Sequence, residues 1–365
     1  MIWRCDLQPQ AEEYMEQLLM VTEEVLSSGR YLLSEKIKTF EKQFSEYSGI
    51  RHCVAVASGT DALILSLRVL GVKNGDEVIT TPFTAIPTVS AIVATGARPV
   101  FVDINPETYL IDTSKVNDVI TDKTKTIVPV HLFTQMVDIE KMKANLPRSI
   151  PIIEDAAQAS GCSLNGKMAG FYGDLAACSF YPTKNLGGYG DSGAVLTNNS
   201  EYDHKLRLLQ NYGKESPDNI EINGTNSRMD ELQAAFLSLK LKDLEVQNQR
   251  RRKIAGLYKD GLENLPVVLP AIQPGAVPNY HIYSVQVPDR RDLLKAYLQD
   301  NNVQTDIFYP FPHAYHPAYQ YLGYAKGDFP IAENVGLNIL ALPMYPELKK
   351  TDVEKIIDLI RKFYA

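Results

Sequence analysis

The chain has 365 residues, 45% of them hydrophobic, and carries 37 lysines and arginines against 44 aspartates and glutamates for a net charge of −7. This length accommodates two domains with sizeable cores. The mixed charge, whose one short basic run is Arg250-Arg-Arg-Lys253 on an expected helix face, argues against nucleic acid as a partner. The four cysteines (Cys5, Cys53, Cys162, Cys178) have no metal-ligand spacing, so no metal is expected and a reducing compartment fits. No run approaches the roughly 20 apolar residues of a membrane span, and Met1-Ile-Trp-Arg-Cys-Asp-Leu7 lacks the apolar core of a secretion signal. The expectation is a cytoplasmic protein with no membrane partner.

Between about residues 50 and 200, short apolar runs alternate with segments of helical period. They predict strands at 52–57, 77–81, 99–103, 126–131, 151–155, 176–181 and 194–197, with helices at 61–70, 88–95 and 139–144. Continuous apolar strands joined by helices point to an α/β fold with a largely parallel sheet covered on both faces. A helical stretch over 229–265 leads past Pro270, Pro274 and Pro278 into a strand at 281–287. Apolar residues at helical spacing over 351–363 predict a last helix with Thr351 as its cap. The organisation expected is a large α/β domain, residues 1–245, and a smaller α+β domain, residues 246–365.

The residue that carries chemistry is Lys184, in Ser179-Phe-Tyr-Pro-Thr-Lys-Asn-Leu-Gly187. An apolar strand delivers it into a turn rich in glycine (Gly187, Gly188, Gly190, Gly193). An amine placed so loses solvation, which lowers its pKa and suits it to Schiff-base formation; the competing reading is a solvated loop charge. Ser58-Gly59-Thr60 joins a strand to a helix, and the helix N-terminus there fits a phosphate or is simply capped. Asp155 ends a buried strand at the edge where open α/β sheets bind ligands, so its carboxylate either meets a cationic partner or caps the next helix. Strand alternation turns Glu154 the other way. Asn226 and Arg228 lie in a polar loop that opens the long helix. Gly188-Tyr-Gly-Asp-Ser-Gly193 matches a dinucleotide pattern, but a strand follows it where a helix is required, so a tight connection beside Lys184 is expected instead. An amine, a carboxylate, a phosphate cradle and polar clamps together are the parts of a pyridoxal phosphate (PLP) site.

These segments resemble the DegT/DnrJ/EryC1/StrS family of sugar aminotransferases nearly end to end. The resemblance rests on Gly29-Arg30, Ser58-Gly59-Thr60, Glu154-Asp155-Ala-Ala-Gln158, the lysine segment, Asn226-Ser-Arg-Met229, Gly327-Asp-Phe-Pro330 and Leu342-Pro343. It implies an aspartate aminotransferase-like fold (PLP fold type I), with a mostly parallel seven-stranded sheet in the large domain. It implies Lys184 as Schiff-base lysine and proton shuttle, Asp155 on the pyridinium nitrogen, and Gln158 on the ring's phenolic oxygen. Gly59, Thr60 and Ser179 bind the phosphate, and Asn226 reaches the cofactor of a neighbouring subunit, so a homodimer with shared sites follows. His313 and Tyr181 stand on the substrate side. Two positions depart from the family: Ala85 where an aromatic ring commonly stacks on the cofactor, and Thr134 where glycine is usual.

The reaction expected moves the amino group of L-glutamate to a 3- or 4-keto nucleotide-linked deoxysugar. A sugar dehydratase of the same family carries histidine in place of the lysine, so Lys184 argues against it. A non-catalytic regulator that kept the fold, or an NAD-dependent dehydrogenase, are the readings from other classes.

Overall fold

The computed structural model describes residues 1–365. Two helices, α1 (Gln8–Ser28) and α2 (Glu35–Ser48), precede β1 (His52–Val56), α3 (Gly59–Val69), β2 (Glu77–Thr80), α4 (Ile86–Ala94), β3 (Arg98–Phe101) and β4 (Thr124–Ile127). Next come α5 (Ile139–Ala144), β5 (Ile153–Asp155), the short β6 (Ser163–Leu164) and β7 (Lys167–Met168), then β8 (Leu175–Ser179), β9 (Gly193–Thr197) and α6 (Ser200–Gln210). A small hairpin, β10 (Lys214–Ser216) and β11 (Asn219–Ile220), leads to α7 (Glu231–Leu241) and α8 (Leu244–Leu262). The remainder is β12 (Ala276–Val277), β13 (Tyr283–Gln286), α9 (Arg291–Asp300), α10 (Pro330–Asn338), β14 (Ile339–Leu342) and α11 (Lys350–Tyr364).

The strands expected for one sheet fall into two: four strands in the order β1-β9-β8-β5, and three in the order β3-β2-β4. Parallel bridges Ile127–Ile152 and Val130–Asp155 join them edge to edge. The three-stranded sheet is parallel, but the four-stranded one is mixed, because β9 runs antiparallel to both β1 and β8. The connection from β8 to β9 is a loop over residues 180–192 that carries Lys184 and contains no helix to take the chain back across the sheet, and β9 returns antiparallel beside β8. The glycine pattern at 188–193 is thus a strand-to-strand turn, as its surroundings in the sequence imply. Every residue of β8 and β9 is buried, which is why both read as unbroken apolar runs.

The long helical stretch divides into α7 and α8 at Lys242 and Asp243, where the Asp243 N–H bonds back three residues to Lys240 and its carboxylate accepts the Tyr14 hydroxyl at 2.6 Å. Thr351 does not cap the last helix: α11 begins one residue earlier and Lys349 holds the cap position without a side-chain bond. Nothing in the sequence pattern announced α1, which buries Tyr14, Leu18 and Val25 yet leaves Met15, Leu19, Met20 and Leu26 exposed, blurring its periodicity. A separate apolar core gathers α8, β13, α9, β14 and α11, joined by Ile2 from the start of the chain.

Close backbone approach holds the sheet edge together. A Cβ on Gly193 would lie 2.5 Å from the Ser58 carbonyl, so the start of β9 and the turn after β1 touch only because residue 193 has no side chain. Gly193→Ala is expected to cost about 1–3 kcal/mol through forced backbone displacement, read as a lowered denaturation midpoint. An unchanged midpoint would mean that the approach is looser than described.

Candidate active site

The carboxyl ends of β1, β2, β5 and β8, with the amino end of β9, lie along one edge of the joined sheets. A cavity of about 220 Å³ opens there. Gly59, Thr60, Asp155, Gln158, Ser179, Tyr181 and Lys184 all stand in its wall. Residues dispersed over more than 120 positions of sequence therefore share one site because parallel strands end together.

Asp155 is the last residue of β5 and is 4% exposed. Its Oδ2 accepts the Thr88 hydroxyl at 2.7 Å and its Oδ1 the Ala157 N–H at 3.2 Å. Burial raises its carboxyl above the usual 3.8, against the pull of these two bonds and of the Lys184 charge. Glu154, one residue earlier, turns to the opposite side. There it accepts the Gly170 N–H at 2.7 Å, the Gly173 N–H, and the His131 Nε2–H at 2.7 Å. The Val137 N–H donates to His131 Nδ1 at 3.1 Å, which leaves the ring proton on Nε2. The two adjacent carboxylates are thus divided between a site and a structural anchor by strand alternation.

Lys184 sits in a turn closed by its own N–H to the Tyr181 carbonyl at 2.8 Å and by the Gly188 N–H to the Phe180 carbonyl at 2.7 Å. Desolvation lowers its amine from 10.5 to about 8, while the Asp155 charge works in the other direction. At pH 7 about one molecule in ten then carries a neutral amine, against about one in three thousand for a solvated lysine.

Ser58 Oγ accepts the Asp61 N–H at 3.1 Å and so caps α3. The first helical N–H groups, those of Gly59 and Thr60, have no partner within the helix and lie at the cavity wall, so the cap leaves them free to meet an anion. A Cβ on Gly59 would stand 2.6 Å from the Ser179 Cβ, so glycine lets the two phosphate-site candidates pack directly. Gln158 is held from both sides: its Oε1 accepts the Phe133 N–H at 2.9 Å and its Nε2 donates to the Tyr309 hydroxyl at 3.3 Å.

Two candidates lie elsewhere. Asn226 is exposed and outside the cavity wall, bridged through its backbone to Asn211. His313 is 3% exposed and outside the wall too; its Nε2–H donates to the Thr84 carbonyl at 2.5 Å, and burial lowers it to about 4, so it is neutral at physiological pH. Tyr181 is half-exposed at the mouth. The sequence reading missed Thr84, Thr88, Val130, Ala157, Asp191 and Ser192 of the wall. Thr84 and Thr88, whose hydroxyls are 2.9 Å apart, were findable as a threonine pair one helical turn apart after a strand. Phe83 is fully buried against Phe133 and Tyr309 and turned from the cavity, which Ala85 and Pro87 face instead, where other family members commonly carry an aromatic ring. Thr134 needs no glycine, because the left-handed residue of its turn is Phe133, at φ 59°.

The residue set fits PLP: an amine made less basic by burial, a buried carboxylate for a cationic ring nitrogen, and helix-end N–H groups with Ser179 for a phosphate.

The sequence profile of the DegT/DnrJ/EryC1/StrS aminotransferase family matches residues 12–361. A pleiotropic regulatory protein of Geobacillus stearothermophilus is 40% identical over 98% of this chain and 97% of its own. A dTDP-3-amino-3,4,6-trideoxy-alpha-D-glucose transaminase of Micromonospora megalomicea subsp. nigra is 40% identical over 96% of each chain. The crystal structure of DesV from S. venezuelae, in complex with a ketimine intermediate, superposes with a TM-score of 0.95 at 38% identity, covering 100% of this chain and 98% of that one. With this profile and these relatives spanning it almost entirely, the chain belongs to the DegT/DnrJ/EryC1/StrS aminotransferase family.

Proposed function

We propose that the protein is a PLP-dependent aminotransferase that moves the amino group of L-glutamate to a 3- or 4-keto nucleotide-linked deoxysugar. The observation that carries this reading is the placement of Lys184 and Asp155 in one cavity wall beside the Ser58–Thr60 turn. The transaminase name of the Micromonospora relative supports the sugar class.

In this reading Lys184 binds the cofactor covalently, and Asp155, held by Thr88 and Ala157, keeps the ring nitrogen protonated. Once bound, the ring supplies an electron sink for charge developing at a substrate carbon. Gly59, Thr60 and Ser179 hold the phosphate, and Gln158 lies beside the ring oxygen. Lys184, freed by the incoming donor amine, takes a proton as base and returns it as acid, a role suited to an amine near pH 8. Tyr181 at the mouth meets the sugar, and His313 acts there by bracing the Thr84 carbonyl.

Asn226, exposed on its own chain, serves the site of a second copy, so the working unit is a homodimer. The exposed Met15, Leu19 and Met20 of α1 support a further apolar contact between copies. The second core, drawn from α8 onward, supports a division into residues 1–245 and 246–365, with Ile2 crossing into it and Ala314, Tyr319, Leu322 and Phe329 crossing back into the first. No helix is long and apolar enough to cross a membrane, and all four cysteines are free, which fits a cytoplasmic enzyme. A regulator without turnover is the second reading, favoured by the name of the Geobacillus relative.

Visible absorbance separates the two readings. The protein with PLP is expected to turn yellow and to bleach with L-glutamate; colour without bleaching would favour the regulator, and no colour would remove Lys184 from its role. Lys184→Ala should keep its fold and lose the covalent adduct, seen by mass spectrometry after borohydride reduction. Capture of PLP by the apo protein should accelerate as pH rises and level off above about 8, since only the neutral amine attacks. A plateau delayed to about pH 10.5 would mean a solvated lysine. Thr88→Val should cost about 1–3 kcal/mol by leaving Asp155 Oδ2 unpaired. The variant's carboxyl rises further, so that deficit should shrink as acid protonates it; a pH-independent loss in denaturation curves would contradict the pairing.

A further inference from the structure

The turn that carries Lys184 rests on α7, and that helix brings a second buried amine to it. Lys240 is 5% exposed, and its Nζ donates to the Gly187 carbonyl. The same ammonium stands 5.0 Å from the centre of the Tyr189 ring, which meets Phe236 of α7 edge-on at 5.5 Å. Two helical turns before Lys240, Gln233 Oε1 accepts the Tyr189 N–H at 2.9 Å. The fit is tight: a Cβ on Gly188 or Gly190 would lie 2.6 Å or 3.0 Å from the Gln233 amide. A Cβ on Gly187 would lie 2.3 Å from the Pro182 carbonyl. The glycines after Lys184 are therefore fitted to α7 on one side and to the turn itself on the other.

Lys240 stands outside the wall of the cavity, so it does not touch a reacting group. Burial lowers its amine to about 8, with the Glu347 carboxylate raising it and Arg251 lowering it. An amine buried at this expense, where a leucine would pack without it, is placed for its donor. We propose that Lys240 is a positioning residue for Lys184: together with Gln233 it ties the turn to α7 at Gly187 and Tyr189, and so fixes the point from which the Lys184 side chain enters the cavity. This rests on the reading of Lys184 as the cofactor-binding lysine. The helix that makes the tie also holds the segment before α2, because Glu231 accepts the N–H groups of Ser34 at 2.6 Å and Lys36 at 2.8 Å. The lysine turn and the N-terminal loop thus share one support.

The test compares full-length wild type with Lys240→Met, which keeps length and apolar stem but has no donor, and with Lys240→Arg. Hydrogen–deuterium exchange of the Gly188 and Tyr189 amides should quicken about tenfold in the Met variant, the effect of one lost buried hydrogen bond. Capture of PLP at Lys184, trapped with borohydride, should slow by a similar factor. Bleaching at saturating L-glutamate should slow likewise, with the half-saturating concentration little changed, and Lys240→Arg should recover most of each loss. Unchanged exchange and capture in the Met variant would overturn the proposal, as would loss of stability alone with normal capture. If the Met variant does not fold, Gln233→Leu, which removes the bond to Tyr189 without burying a charge, must show the same faster exchange and slower capture or the proposal fails. A wild type that captures PLP but does not bleach would sink the aminotransferase reading while leaving exchange and capture to decide on Lys240.

Discussion

Burial of Lys184 and Asp155 in one wall is the constraint on which the rest of the site depends. Each side chain alone would be expelled toward its neutral form, the amine downward and the carboxyl upward, and each opposes the other's shift. The outcome is an amine near its working range and a carboxylate whose charge rests on Thr88, Ala157 and a cationic neighbour. A cationic ring nitrogen beside Asp155 would be the strongest such neighbour.

Geometry follows from the single antiparallel strand. Because β9 returns beside β8, the loop that carries Lys184 is pinned at both ends by buried strands, and Ser192 and Asp191 arrive at the same edge as Ser58 and Ser179. The close contacts of Gly59 with Ser179 and of Gly193 with Ser58 then join the Ser58–Thr60 turn to the two strand ends that carry the Lys184 loop. A flexible amine gains a defined reach only when its backbone is fixed, and here the fixing is done by absent side chains on one face and by α7 on the other.

The parallel strands and the residues at their carboxyl ends were legible because continuous burial writes apolar runs directly into sequence, and because Lys184 and Asp155 are costly residues at the ends of such runs. The antiparallel course of β9 was only half legible: its strand was visible, while its direction depended on recognising a turn where a nucleotide pattern also matched. Thr88 escaped notice because a threonine in a helix's first turn looks like ordinary capping until its hydroxyl is seen on Asp155. α1 escaped because its outer face is apolar as well, which erases the one-sided period that marks a surface helix. His313, placed by resemblance on the substrate side, is buried against the Thr84 carbonyl behind the cavity wall.

That last position bears on the segment that contains Ala85. The segment from Thr84 to Thr88 contributes Thr84, Ala85, Pro87 and Thr88 to the wall, and none is aromatic. His313 holds this segment from behind through the Thr84 carbonyl, and its Nδ1, buried without a partner, shows that the ring is positioned for one bond at the expense of another. A face without a stacking ring offers a cofactor only flat apolar contact from Ala85 and Pro87, so orientation falls more heavily on the polar contacts at the ring's edge and on the point of attachment at Lys184. If the site binds PLP as proposed, the closely fitted Lys184 turn and the non-aromatic residues at 85 and 87 belong together, since with no ring to stack on it the cofactor would be oriented by its polar contacts and by its attachment to that turn.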